Sequence, residues 1–239
     1  MSMNLHKIAG LYVDLGYKHP LMLERASSYK TNDECEKPNM TIYLPDEFLE
    51  EKVKETPNID LDIAEYLYTG AAFYTGLLQF GGFLLHSSAI VVDGKAYLFT
   101  ADSGTGKSTH TELWRKAFGE DRVQILNDDK PAIRIAKEGY FACGTPWSGK
   151  HNLNMDKIVP LAAIGFLERS EENWIERRPG GEMVGKLLKQ TVRPPVKEEM
   201  DALLTYVDRV LTDVPVYALG VNMSEDAAIM AYEAMSKGV

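Results

Sequence analysis

A glycine-rich stretch from Ala101 to Thr109 carries the residues best suited to do chemistry in this chain. It reads Ala-Asp-Ser-Gly-Thr-Gly-Lys-Ser-Thr. The backbone N–H groups of such a turn can surround an anion, and a helix that begins directly after it adds partial positive charge. Lys107 would reach the β- and γ-phosphates of a nucleotide, and the Ser108 hydroxyl would ligate Mg²⁺. The stretch predicts a site for ATP or a similar nucleotide, with these binding residues: Ser103, Gly104, Thr105, Gly106, Lys107, Ser108 and Thr109.

The segments on either side of this loop fit a phosphate-binding unit. Residues 97–100 are typical of a strand, and residues 109–118 are typical of a helix closed by Gly119. The usual motif begins with glycine, whereas this chain has Ala101 at that position. The alternative is a glycine-rich turn that only caps an ordinary helix. The order of strand, loop, lysine and helix favours the nucleotide site.

An acidic pair, Asp128-Asp129, follows a short apolar strand predicted over 123–126. One carboxylate could hold Mg²⁺, directly or through water, and the other could take a proton from an attacking hydroxyl. The alternative is a solvated turn. The position of the pair after a strand, downstream of a phosphate loop, favours the chemical interpretation.

Other candidates are less specific. His86 lies in the apolar run 84–92, where it is either a neutral core histidine or a partner of the metal or γ-phosphate. The turn-rich segment 144–152 either offers Lys150 and His151 as donors or is a plain surface loop. Further basic residues that could stabilise charge are Arg177, Arg178, Lys186 and Arg193.

Composition limits the class of protein. The chain has 239 residues with a net charge of −9, which argues against broad binding to nucleic acid. No apolar run approaches the roughly 20 residues of a membrane helix. The first residues lack the pattern of a signal peptide. Cys35 and Cys143 give no disulfide framework, so we expect a reduced, cytoplasmic protein that does not associate with membranes.

The pattern along the chain predicts an α/β fold in two parts. Residues 1–80 form a small strand-rich region, with strands over 8–13 and 40–44, followed by a packing helix over 61–80. Residues 81–239 form the nucleotide-binding core. Its Asp93-Gly94 pair predicts a tight hairpin between the runs 84–92 and 95–100. Later strands are predicted at 132–135, 140–143, 161–167 and 216–219, and later helices at 181–191, 197–211 and 224–236.

Three motifs in this order resemble the HPr kinase/phosphorylase family, which shares its nucleotide-binding core with ATP-dependent phosphoenolpyruvate carboxykinase. They are His86-Ser87-Ser88-Ala89, the loop from Asp102 to Ser108, and Asp128-Asp129. The resemblance covers about residues 81–155 and implies that core, a mixed-sheet P-loop fold. It implies that Asp128 is the general base for a serine hydroxyl and that His86 lies near the metal or γ-phosphate. It also implies the remaining roles: phosphate binding by Gly104, Gly106 and Lys107, and Mg²⁺ binding by Ser108 and Asp129.

These observations predict a kinase that uses ATP and Mg²⁺. It would transfer the γ-phosphate to a hydroxyl, with serine preferred, of a protein, peptide or small molecule. Asp128, Lys107 and His86 would form its catalytic group. Since HPr kinases assemble as oligomers, the resemblance also implies a homo-oligomer. The alternatives are a bifunctional kinase/phosphorylase and a regulatory protein that binds ATP without chemistry.

Overall fold

The computed structural model of the protein describes residues 3–33 and 37–237. Its helices are α1 (Pro20–Arg25), α2 (Asp46–Glu55), α3 (Leu61–Leu77), α4 (Lys107–Phe118), α5 (Gly180–Lys189), α6 (Lys197–Asp213) and α7 (Glu225–Met235). Its strands are β1 (Leu5–Ile8), β2 (Leu11–Leu15), β3 (Met40–Ile42), β4 (Gly82–Leu84), β5 (Ser88–Val92), β6 (Lys95–Thr100), β7 (Val123–Asn127), β8 (Ala132–Ala136), β9 (Gly139–Cys143), β10 (Ile158–Arg169), β11 (Trp174–Arg177) and β12 (Val216–Val221). The helices predicted near residues 61, 109, 181, 197 and 224 correspond to α3, α4, α5, α6 and α7.

Strand β10 connects the two halves of the larger sheet. It is 12 residues long. Its first residues pair antiparallel with β9, and later residues pair parallel with β6 and β12. The register shifts between Leu161 and Ala163, close to where the partners change. The strand order is β4-β8-β9-β10-β6-β5-β7, with β12 against β10 and β11 against β12. The fold is therefore α/β with a curled mixed sheet, which confirms the expected fold class at this level.

Strands β5 and β6 form the hairpin that Asp93-Gly94 predicts. Their register runs from Val92 opposite Lys95 to Ser88 opposite Phe99. The two turn residues have φ values of 51° and 75°. Positive φ at both positions is typical of the two-residue turn whose twist matches that of the flanking strands. The hairpin leads the chain along β6 into the glycine-rich loop 101–106 and then into α4.

Strands β6, β7, β10 and β12 all run in one direction. β10 is parallel to β6 and β12, and β6 and β7 are both antiparallel to the β5 strand between them. The carboxyl ends of these strands therefore lie at the same edge of the sheet. That edge carries the loop after Thr100, the acids after Asn127, and the residues at Arg169 and Val221.

The segment 84–92, predicted as one strand, is divided between two strands in the structure. β4 ends at Leu84 and pairs with β8, whereas β5 begins at Ser88 and pairs with β6 and β7. His86 therefore lies in the connection between two strands rather than inside one. The apolar run is continuous because both strands and the connection are largely buried, so hydropathy alone does not reveal the break.

The N-terminal region has its own small sheet, in the order β1-β2-β3. The single strand predicted over 8–13 is wrong. Ala9 and Gly10 take φ values of 50° and 78° and turn the chain between β1 and β2. Helix α1 was not predicted, although Pro20 at its first position is a typical start signal.

Helix α3 packs this region onto the rest of the chain. The Asp60 side chain caps the helix by accepting the Ile63 N–H at 2.9 Å. One buried apolar cluster joins Tyr29 and Phe73 of the N-terminal region with Leu84, Cys143 and Trp147. The division of the chain at residue 80 stays a prediction.

Two further observations bear on the composition of the chain. Among residues 3–33 and 37–237, no helix is both long and apolar enough to cross a bilayer.

Cys143 is buried, and its burial raises the pKa of the thiol to about 12. Cys35 lies outside the described residues.

Gly144, directly after β9, provides a stability test. A Cβ atom there would lie 1.7 Å from the Met155 carbonyl oxygen, which is backbone and cannot move aside cheaply. We expect Gly144→Ala to lower the free energy of unfolding by about 1–3 kcal/mol or more. The matched control is Gly185→Ala in α5, where a Cβ would meet nothing within 4 Å. That control should gain up to about 1 kcal/mol from helix propensity.

Urea unfolding monitored by circular dichroism measures both variants. Equal stability of Gly144→Ala and the wild type would contradict the close packing of residues 144 and 155.

Candidate active site

The glycine-rich loop occupies the turn between β6 and α4. Gly104 and Gly106 take φ values of 77° and 114°, a region that disfavours other residues. Gly106 is the N-cap of α4 and provides no side chain for the first helical N–H groups. The Lys107 ammonium donates to the Ala101 carbonyl oxygen at 3.1 Å. The lysine thus folds back over the loop, with the helix N-terminus beside it.

Arg169, at the end of β10, holds the outside of this loop. Its Nη2 donates to the Gly104 carbonyl oxygen at 2.6 Å, and its Nε reaches the Thr105 oxygen at 3.5 Å. Arg169 therefore ties the end of β10 to the loop. Arg169 was not among the predicted site residues.

Asp128 is the sheltered member of the acidic pair. It is only 8% exposed. Its Oδ1 accepts the Gly149 N–H at 2.5 Å. Burial raises the pKa of Asp128 above its ordinary value, and the neighbouring Asp129 charge adds to this, although the Gly149 N–H opposes the rise. An aspartate in such surroundings is a stronger base than a solvated one.

Asp129 has the opposite behaviour. Burial by itself would raise the pKa of Asp129, but His86 and the Lys130 charge outweigh it and hold the pKa well below its ordinary value. His86 Nδ1 lies 3.7 Å from Asp129 Oδ1, and the Lys130 ammonium donates to Oδ2. Asp129 is therefore an ionised carboxylate in contact with His86 and Lys130.

His86 connects the acids to the glycine-rich loop. Its carbonyl oxygen accepts the Thr100 hydroxyl at 2.7 Å, and Thr100 is the last residue before that loop. Its N–H donates to the Gln190 carbonyl oxygen at 2.6 Å. The ring is 40% exposed and faces Asp129, so it is not a core histidine. His86 thus contacts both Asp129 and the residue that leads into the loop.

The loop and the acids follow strands that are separated only by β5. Neighbouring strands lie about 4.8 Å apart, so β6 and β7 are roughly 10 Å apart at this edge. That distance suits a triphosphate reaching from the loop towards the acids. Among the described residues, no group of three or more His, Cys, Asp or Glu side chains is arranged as a metal site.

The segment 144–152 contributes backbone rather than its basic side chains. Lys150 and His151 are exposed, while the Gly149 N–H holds Asp128. Two residues from the N-terminal region, Arg25 and Tyr66, also hydrogen bond to this segment. Neither residue was among the predicted site residues, and no sequence motif includes them.

Two of the later basic residues, Arg177 and Arg178, lie away from this edge. Arg177 pairs with Tyr217 near the start of β12, at the end of that strand opposite Val221. Arg178 forms ion pairs with Glu176 and Glu182. Lys186 and Arg193 are exposed.

Comparison with solved structures gives a distant likeness. No protein-family model matches the sequence, and no curated protein matches it. Among solved structures, the chain is similar to the HPr(Ser) kinase/phosphatase from Coxiella burnetii. The TM-score is 0.39 and the identity is 11%, over 64% of this chain and 97% of that chain. A likeness this weak carries no argument about activity.

His110, in the first turns of α4, should make stability depend on pH. It is 1% exposed, and its Nε2 accepts the Trp114 indole N–H at 3.1 Å. Burial lowers the pKa of His110 to about 4. The unfolded chain, with a histidine pKa of about 6.5, therefore binds a proton over a range in which the folded chain does not. Protonation of His110 should not affect the free energy of unfolding above pH ~6.5. That free energy should fall by about 3 kcal/mol on acidification to pH ~4.

The measurement is urea unfolding across that range for wild type and His110→Gln, which keeps an acceptor for Trp114. The difference in the free energy of unfolding between wild type and His110→Gln should shrink as the pH falls. The exposed His151→Gln is the control and should follow the wild type. A constant difference for His110→Gln at all pH values would contradict a neutral, buried His110.

Proposed function

We propose that the chain is a kinase that uses ATP and Mg²⁺ and transfers the γ-phosphoryl group to a hydroxyl group, with a serine side chain as the preferred acceptor. One observation carries this proposal: the glycine-rich loop and two adjacent acids lie at the same edge of the sheet. The two acids differ in their surroundings and in the direction of their pKa shifts. A loop alone would suit any nucleotide-binding protein. A sheltered carboxylate beside an ionised one suits proton transfer next to a metal.

The loop would bind the phosphates. Backbone N–H groups over 103–109, including those at the N-terminus of α4, would donate to the phosphate oxygens. Lys107, which now donates to a neutral carbonyl oxygen, would gain a stronger charge-assisted bond to a phosphate oxygen.

Ser108 and Asp129 are the residues that would hold Mg²⁺. The fit rests on Asp129, whose ionised carboxylate already attracts Lys130 and His86. Hydroxyl and carboxylate oxygens suit an ion that completes its shell with water and substrate phosphates. Mg²⁺ bound there would neutralise charge on the β- and γ-phosphates.

Asp128 would act as the base. As the acceptor oxygen bonds to the γ-phosphorus, its proton passes to the Asp128 carboxylate and the bond to the ADP oxygen breaks. Its raised pKa makes the carboxylate a better proton acceptor. Lys107 would stabilise the charge on the transferred group, and His86 would help to orient Asp129.

A regulatory protein that binds ATP without chemistry would not need a general base. A protein that only senses ATP gains nothing from burying an aspartate beside a second acid, because burial of a charge costs stability. The cost of holding Asp128 is therefore easier to explain by chemistry than by binding alone.

Lys107→Ala and Asp128→Asn test these roles. We expect each to lower γ-phosphate transfer by at least about 100-fold, because loss of a positioned base or a charge-stabilising donor has effects of that size. Lys116→Ala, an exposed lysine later on the same helix, is the matched control and should transfer at the wild-type rate.

The assay follows label from [γ-³²P]ATP into dialysed cell extract and into water as inorganic phosphate. Wild-type transfer by either variant would remove the role assigned to that residue. Binding of ATP by a wild-type protein that labels nothing and releases no phosphate would favour the regulatory alternative.

A further inference from the structure

Arg25, the last residue of α1, reaches across the molecule to the segment beside Asp128. Its Nη1 donates to the Ser148 hydroxyl at 2.5 Å and to the Gly149 carbonyl oxygen at 2.9 Å. These residues are more than 120 positions away along the chain. A half-buried arginine that binds a turn through two acceptors fixes its position better than a single contact does.

Tyr66, on α3, holds the same turn from a second direction. Its hydroxyl donates to the Ser148 carbonyl oxygen at 2.5 Å. Burial raises the pKa of Tyr66 to about 12, so the hydroxyl stays protonated and remains a donor. The Arg25 guanidinium carbon lies 5.6 Å from the centre of the Tyr66 ring. The two side chains therefore support each other as well as the turn.

The position of the turn at residues 148–149 in turn determines where the Asp128 carboxylate lies. The Gly149 N–H donates to Asp128 Oδ1 at 2.5 Å. A Cβ atom at residue 149 would lie 2.8–3.0 Å from the Asp128 carboxyl atoms. The carboxylate is thus in direct contact with the turn backbone, and any displacement of residues 148–149 would displace it.

We propose that Arg25 is a positioning residue, which with Tyr66 clamps the Ser148–Gly149 turn and so aims the Asp128 carboxylate. This inference rests on the proposed function, in which Asp128 is the base. It also makes the N-terminal region a part of the active site, because residues from α1 and α3 set the geometry of a group that follows β7. The region contributes orientation and no reacting atom.

The first test measures phosphate release from [γ-³²P]ATP with Mg²⁺ and no added acceptor, so that water takes the place of the hydroxyl. We expect Arg25→Ala to lower the turnover by up to about 100-fold, the size expected when a catalytic group is misplaced by about 1 Å. The affinity for MgATP should not change, because Arg25 does not touch the loop. Tyr66→Phe removes only the donor to Ser148 and should lower turnover in the same direction. Lys18→Ala, which breaks an exposed ion pair with Asp46 in the same region, should leave turnover unchanged.

The second test asks whether Arg25 acts through Asp128. In an Asp128→Asn background, Arg25→Ala should cause no further loss, since there is no base left to aim. Equal loss in both backgrounds, or wild-type turnover by Arg25→Ala, would overturn the inference.

A third arm does not depend on catalysis. Hydrogen exchange of the peptide spanning residues 147–152 should be faster in Arg25→Ala than in wild type and unchanged in Lys18→Ala. Unchanged exchange in Arg25→Ala would show that the arginine does not hold the turn and would overturn the inference. A wild-type protein that neither labels cell extract nor releases phosphate would overturn the proposed function instead, and the exchange result would still decide the role of Arg25 in holding the turn.

Discussion

The candidate site depends on one constraint: β6 and β7 each pair with β5, one on either side of it. Both strands are antiparallel to β5, so they are parallel to each other and end at the same edge. The loop after β6 and the acids after β7 are therefore neighbours in space, although more than twenty residues separate them in sequence. The hairpin turn at Asp93-Gly94 is what gives β5 and β6 this relation, because its positive φ values reverse the chain within two residues.

Unlike surroundings give the two neighbouring acids unlike properties. Asp128 lies against the backbone of Gly149 in a buried position, and Asp129 faces Lys130 and His86. Burial raises the pKa of the first, whereas for the second the effect of burial is outweighed by His86 and Lys130. A pair of carboxylates whose pKa values are driven apart can divide the work of proton transfer and cation binding.

The sequence predicts well what depends on near neighbours and poorly what depends on distant ones. The loop, α4 and the hairpin follow from glycine, aspartate and apolar spacing over a few residues. The break at His86 could not be predicted, because burial continues through it. Arg169 and Arg25 could not be found either, since their partners lie 64–65 and 123–124 residues away and no local pattern encodes such contacts.

The proposed transfer requires a triphosphate and Mg²⁺ to lie between the loop and Asp129. Calorimetric titration of ATP with and without Mg²⁺, for wild type and Asp129→Asn, tests this most directly. We expect Mg²⁺ to tighten ATP binding to the wild type, and this gain to be largely lost in Asp129→Asn, while metal-free ATP binds both alike or the variant slightly better. An identical gain in both proteins, or no binding of ATP by the wild type under either condition, would contradict the account.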